Sequence, residues 1–299
     1  MQLAIKPSSF MALIKPILKY DLAYDVLMTR SMDYLLTQHT IKTTRLQLNE
    51  IRARLGTGLS TYELGQGLKM EFDLSKNLDA FMYDYLLRFG HYEREVESIL
   101  SELVTKDTTF IDVGANVGYF TILCSRLAQT VYAFEPVPAV FERLTRNVSL
   151  NDCKNVRAFQ CAVSKERTRL RLFESKISDG HDSTVRRFEH DKSIFVDAVS
   201  LDEAVDPSVR DVVMKVDTEG SEMDVLLGAL GLIRSGKVSA IVLEWARPIY
   251  ARITNLRERF ALYSALGSVE VLDDRLGSYA VRDRREIPEF CNLLIRVWR

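Results

Sequence analysis

From residue 108 the chain alternates short apolar runs with amphipathic stretches, and this rhythm constrains its fold more than any other feature. The apolar runs fall at 109–113, 131–135, 156–161, 212–217 and 239–244, and helical patterns fall near 118–128, 138–150, 221–234 and 252–265. Continuous apolar strands separated by helices predict an α/β fold, a mostly parallel sheet covered on both faces. Two further strands, 169–173 and 193–200, flank a polar loop at 175–191, and β character at 269–272 and 292–298 suits terminal strands of the same sheet. Upstream, Ile17, Tyr20, Leu22, Val26, Leu27, Tyr34 and Leu35 recur at roughly helical spacing. Residues 61–73 alternate around two glycines and predict a β-hairpin, and two helices follow at 78–88 and 91–104, broken at Gly90. The expected organisation is a helical extension over 1–60, a hairpin and helices over 61–107 capping the site, and one α/β domain over 108–299.

Within that rhythm, residues 109–120 read Thr-Phe-Ile-Asp-Val-Gly-Ala-Asn-Val-Gly-Tyr-Phe. An apolar strand carries Asp112, a turn carries Gly114, Asn116 and Gly118, and a helix follows. The next strand, Val131 to Phe134, ends at Glu135. A strand, glycine turn, helix and strand with an acid at its tip is a nucleoside-binding half-site, with the acid placed to accept hydrogen bonds from ribose hydroxyls. The glycines permit tight backbone geometry and close ligand approach. A dinucleotide site needs G-x-G-x-x-G so that a pyrophosphate rests on the helix N-terminus. Here the glycines stand four apart, and Asp112 would repel a pyrophosphate. The turn suits a ligand with a positive end, such as the sulfonium and amino group of S-adenosylmethionine. A nicotinamide-dependent oxidoreductase is the competing cofactor reading.

The second dense segment, 212–222, reads Val-Val-Met-Lys-Val-Asp-Thr-Glu-Gly-Ser-Glu. Ligands of open α/β sheets bind beyond the carboxyl ends of the strands, so Asp217 and Glu219 aim at the same crevice as Gly114 and Glu135. Strand alternation puts Lys215 on the face of Asp217, and a buried lysine needs a partner, for which Asp217, Glu219 and Asp112 are candidates. Glu222 is read as helix N-terminal electrostatics. Glu244-Trp245 ends the fifth strand and is expected to face the crevice. In the loop 175–191, His181 is the one histidine placed for general-base work.

Composition excludes several classes. A net charge of −1 gives no support for a nucleic-acid partner. Cys124, Cys153, Cys161 and Cys291 are scattered, without metal-ligand spacing, and read as reduced packing residues in a cytoplasmic protein. No run of about 18 uncharged apolar residues is present, and the start lacks a signal-peptide core and cleavage site. Residues 1–60 carry eight Lys/Arg against four Asp/Glu, a balance of +4 that permits contact with an anionic membrane face or a partner helix, self-association included, although a helical cap with a solvated basic side is the preferred reading. Asn147-Val-Ser149 matches a glycosylation acceptor pattern but falls on a predicted helix, and is read as coincidence.

Together, F-I-D-V-G-A-N-V-G at 110–118, Y-A-F-E-P at 132–136, A-V-S at 162–164, V-S-L-D-E at 199–203 and M-K-V-D-T-E-G-S-E at 214–222 resemble the FkbM-type family of S-adenosylmethionine-dependent methyltransferases. Gly90-His-Tyr-Glu93 and I-V-L-E at 241–244 add to the likeness, which covers about residues 88–245. The resemblance implies a Rossmann-like methyltransferase fold with an antiparallel terminal strand, and O-methylation of a hydroxyl on a sugar, glycan or natural product. It also implies that Asp112, Gly114, Asn116 and Gly118 surround the methionine part of the donor. Glu135 would hold the ribose, Pro136 and Ala162 would flank the nucleoside, and Asp217 and Glu219 would lie on the acceptor side. The family's common Ser-Ser in the variable loop stands here as His181-Asp-Ser-Thr184.

The expected reaction is in-line transfer of a methyl group to an acceptor hydroxyl, with Asp217 as the first candidate base and His181 as the second. Lys215 and Glu219 complete the candidate catalytic set. Carboxylates of Asp217, Glu219 and Glu222 could take a divalent cation, but the metal-free reading is preferred. A non-catalytic binding protein on the same fold is a further alternative.

Overall fold

The computed structural model describes residues 45–173, 193–246, 256–273, 277–288 and 290–298. The helices expected over 1–44 and the loop 175–191 with His181 lie outside the described residues.

A helix over 45–55 (α1) leads into a hairpin, β1 (Leu59–Gly65) and β2 (Leu68–Asp73), so the helical reading of 1–60 stops short of Leu59. Two helices follow, α2 (Asn77–Phe89) and α3 (Arg94–Leu103). Gly90 ends α2 in the left-handed conformation, φ 77°, which a glycine adopts without steric cost.

The main sheet then forms from β3 (Thr109–Val113), β4 (Thr130–Phe134), β5 (Val156–Phe159), β9 (Val212–Val216), β10 (Val238–Ala246), β11 (Gly267–Asp273), β12 (Gly277–Ala280) and β13 (Phe290–Val297), in the spatial order β12-β11-β13-β10-β9-β3-β4-β5. The run β10-β9-β3-β4-β5 is parallel. β13 pairs antiparallel with β10, and β11 antiparallel with β13. Every residue of β3 and β9 is buried, as both faces of a central parallel strand must be. Phe110 and Val213 feed one core, with α2, α3 and α4 (Tyr119–Ser125); Ile111 and Met214 feed the opposite one. The sequence order of strands reverses between β3 and β9, and this switch point is where open α/β sheets bind ligands.

Two expectations need correction. The run 156–161 does not form one strand. β5 ends at Phe159, and β6 (Ala162–Val163) leaves to join β7 (Thr168–Phe173) and β8 (Ser193–Val199) in a separate three-stranded sheet of order β6-β8-β7. The helix expected over 221–234 is two, α7 (Glu222–Leu227) and α8 (Leu230–Arg234), after the short α6 (Leu201–Ala204). Gly228 lies between them because a Cβ there would stand 2.1 Å from the Ser164 carbonyl oxygen. The helix expected over 252–265 is described as α9 (Leu256–Leu266).

The hairpin is tied to α5 (Pro138–Leu150) along the free edge of β2. Asn151 accepts from the Lys69 amide and donates to its carbonyl, at 2.8 and 2.7 Å. Asn147 does the same for Glu71 at 2.8 and 3.2 Å, and Asp79 accepts the Asp73 amide at 2.8 Å. Asn147 is buried, so its side chain serves packing, in keeping with the coincidental reading of the sequon.

Candidate functional site

The crevice opens where β3, β4, β9 and β10 end. Its volume is about 970 Å³ including the open mouth, and its lining includes Gly114, Asn116, Glu135, Pro136, Ala162, Asp217, Glu219 and Glu244. The two sequence segments therefore meet at one place, although about a hundred residues separate them. Three expected residues lie beneath the wall instead. Asp112 and Lys215 are buried in adjacent strands, where they pair in register. Gly118 caps α4, and a Cβ there would come within 2.7 Å of Leu144 Cδ1, so it serves the packing of α4 on α5.

Gly114 has φ 80°, and a Cβ on it would stand 1.8 Å from the Asp217 carbonyl oxygen. The glycine turn is therefore pressed against the neighbouring strand's exit, and a side chain would force the two tips apart. Glu135 fixes the other side of the turn. Its Oε2 accepts from the Asn116 amide at 3.1 Å and its Oε1 from the Val137 amide at 2.9 Å. Glu135 also lines the crevice. Phe134, Val137, Leu170 and Leu172 add an apolar wall beside Glu135, suited to a flat heterocycle.

The opposite wall is acidic. Lys215 Nζ donates to Asp217 Oδ2 at 2.9 Å and lies 4.9 Å from the centre of the Phe120 ring. Burial works against the ammonium, but Asp217, Glu93 and Asp112 outweigh it and hold Lys215 charged, above the ordinary lysine range. Burial raises the Asp112 carboxyl, against the pull of Lys215 and of the 2.6 Å hydrogen bond that Thr121 donates to it. Asp217, Glu219 and Glu244 bring carboxylate oxygens within 4.8 Å of one another. Burial, reinforced by Asp217, Glu219, Glu222 and Glu93, pushes the Glu244 carboxyl up to about 9.

Glu222 does not belong to that trio. It is fully buried; its Oε1 accepts from the Gly220 amide at 2.9 Å, and its Oε2 takes the Arg259 guanidinium at 2.7 Å. Arg259 also donates to the Gly220 carbonyl and the Tyr263 hydroxyl, at 3.1 and 3.0 Å. This brace, rather than helix-end electrostatics alone, accounts for Glu222, and Glu244 takes its place among the crevice carboxylates. Trp245, expected beside Glu244 on the crevice wall, points the other way, into the core against Tyr263.

The sequence reading gave no role to Tyr92 and Glu93, which also line the crevice. Glu93, Asn116 and Glu219 all have left-handed backbone, φ 49°, 53° and 53°. Such conformations in non-glycine residues cost of order 1–3 kcal/mol each and cluster at working sites. Tyr119 anchors this segment: it accepts from the Tyr92 amide and donates to Glu97, both at 3.1 Å. Among the described residues no helix is long and apolar enough to cross a membrane, and the four cysteines are free thiols.

The chain matches the family model of the methyltransferase FkbM domain over residues 112–267. It is 30% identical over 166 residues to Methyltransferase 1 of Beauveria bassiana, an alignment covering 48% of this chain and 67% of that protein. It is also 30% identical over 154 residues to the hexuronic acid methyltransferase AglP of Haloferax volcanii, covering 51% of this chain and 62% of the relative. The chain thus spans about two thirds of the length of each. Among solved structures, the methyltransferase FkbM from Methylobacillus flagellatus aligns at 16% identity and a TM-score of 0.44, over 68% of this chain and 48% of the other. The family match runs from the Asp112 strand through Arg259 and includes both halves of the crevice. The chain belongs to the FkbM methyltransferase family.

Proposed function

We propose that this protein is an S-adenosylmethionine-dependent O-methyltransferase that acts on a hydroxyl of a sugar, glycan or natural-product acceptor. The observation that carries this reading is the union of a glycine cradle and an acidic wall in one crevice, with Gly114 packed on the backbone of Asp217. The residues fit such a donor. Gly114 lets the turn close onto the exit of the Asp217 strand, Glu135 stands on the crevice wall where ribose hydroxyls would lie, and the apolar groups beside it suit adenine. A relative named as a hexuronic acid methyltransferase supports a sugar acceptor.

When bound, the donor supplies an electrophilic methyl group. The protein's part is to hold the acceptor oxygen in line with it, and orientation of that kind can supply about 7–11 kcal/mol. Asp217, with one oxygen held by Lys215, and Glu219 are assigned to the acceptor side, where they receive the hydroxyl's hydrogen bond and its proton. Lys215 fixes the Asp217 rotamer from beneath. Because Lys215 already neutralises Asp217, the reaction is proposed to be metal-free, and activity that survives EDTA is the expected result. Calorimetric titration with S-adenosylhomocysteine and with NAD tests the donor class. Binding of NAD alone would overturn the proposal. A methyl-transfer screen over glycan and lipid-linked sugar acceptors then tests the acceptor class.

A further inference from the structure

Methyl transfer removes the donor's positive charge, because a sulfonium becomes a neutral thioether, so a counter-charge in the crevice would act on donor and product differently. Most carboxylates of the site already have an occupation. Asp217 is paired with Lys215 at 2.9 Å. Glu222 is clamped by Arg259. Glu135 spans the Asn116 and Val137 amides at the ribose end. Asp112 lies beneath the wall, bonded to Thr121. Glu219 and Glu244 stand together with Asp217 on the acceptor side.

Glu93 is the carboxylate that remains. It arrives from a different element, the turn that starts α3, on a left-handed backbone that the Tyr92–Tyr119 hydrogen bond holds in place. Glu93 lines the crevice together with Gly114, Asp217 and Glu244. In the proposed binding mode that is where the donor's methionine end lies. We infer that Glu93 supplies the counter-charge to the donor's sulfonium, so that the crevice holds the methylated donor more tightly than the demethylated product. This rests on the donor reading given above.

The ionisation of Glu93 agrees with that role. Burial raises its carboxyl to about 7, against Lys215 and a Tyr92 hydrogen bond and with Asp217 and Glu95 adding to the rise. Glu244 and, through Tyr92, Glu219 complete the charged groups around this turn. A half-buried acid of this kind is partly neutral in the empty crevice near pH 7, and a cation beside it favours the ionised form. Donor affinity should therefore rise between pH 6 and pH 8, while product affinity stays level.

Calorimetric titration of wild-type protein and Glu93→Gln with S-adenosylmethionine and with S-adenosylhomocysteine decides the matter without an acceptor. The expected result for Glu93→Gln is a roughly tenfold loss of S-adenosylmethionine affinity, with S-adenosylhomocysteine affinity within about twofold of wild type and the pH dependence gone. Glu93→Asp, which keeps the charge on a shorter arm, should fall between the two. Equal weakening of both ligands, or of neither, overturns the inference. Wild-type protein that binds neither ligand overturns the donor reading itself, which is a distinguishable failure.

Discussion

Two ion pairs, Lys215–Asp217 and Arg259–Glu222, are rooted in the segment 215–222, and they differ in how far they are closed. Arg259–Glu222 is sealed: both side chains are 0% exposed. Glu222 and Arg259 direct their bonds to the Thr218–Gly220 turn and to Tyr263, leaving the pair no face toward the crevice. Lys215–Asp217 is half open, with the lysine side chain 6% exposed and the aspartate 31%. The sealed pair shapes the loop, and the open pair presents a carboxylate to whatever enters. The same pairing of charges thus serves as a brace or as a working group, depending on whether solvent and ligand can reach one end.

The largest expected effect comes from breaking the sealed pair. Glu222→Ala leaves a buried guanidinium uncompensated and should cost about 3–5 kcal/mol of stability, measured by urea denaturation. The double variant Glu222→Leu/Arg259→Met removes both charges and should recover most of that loss. If the single and double variants are equally unstable, the brace is not electrostatic.

Breaking the open pair should separate stability from turnover. Asp217→Ala is expected to reduce methyl transfer about 10²-fold or more, equivalent to about 2.7 kcal/mol, while S-adenosylhomocysteine affinity changes little. Lys215 keeps Glu93 and Asp112 as neighbours, so the stability loss should be smaller than for Glu222→Ala. Near-normal turnover would remove Asp217 from the chemistry.

The smallest effect sharpens the contrast from the acidic side. Glu244 is held up to about 9 by burial and neighbouring acids. An acid whose folded value is raised binds more protons folded than unfolded between its ordinary value and the raised one. Stability therefore declines as pH rises from about 4.5 to about 9. Glu244→Gln removes that penalty and should stabilise the protein at pH 8 while changing little at pH 4. Melting curves that shift equally at both pH values would contradict it.

The residues legible in the sequence are those whose signal is local. Asp217 and Glu219 follow an apolar strand directly, as Glu135 follows Phe134, and strand ends of an α/β sheet point to one crevice. Alternation put Lys215 on the face of Asp217 but left three candidate partners, from which the fold selects Asp217. Arg259 was not, because it meets Glu222 across 37 residues and leaves no periodic trace. The role of Gly114 was legible only in part: the turn was expected, but not the Asp217 carbonyl that fills the space of a side chain. Glu93 depends on a left-handed turn that its residue type does not announce. The break at Gly228 and the departure of β6 follow from contacts with Ser164 and β8, which only the folded chain brings together.

Two asparagines at the end of α5 have a consequence for assembly. Asn147 in its last turn and Asn151 just past its end occupy the outward amides and carbonyls of Lys69 and Glu71 as a third strand would. With Asp79 on the Asp73 amide, the outer border of the hairpin has its hydrogen-bonding groups engaged from within the molecule. A foreign strand could add there only by displacing those side chains, so this border resists edge-to-edge aggregation.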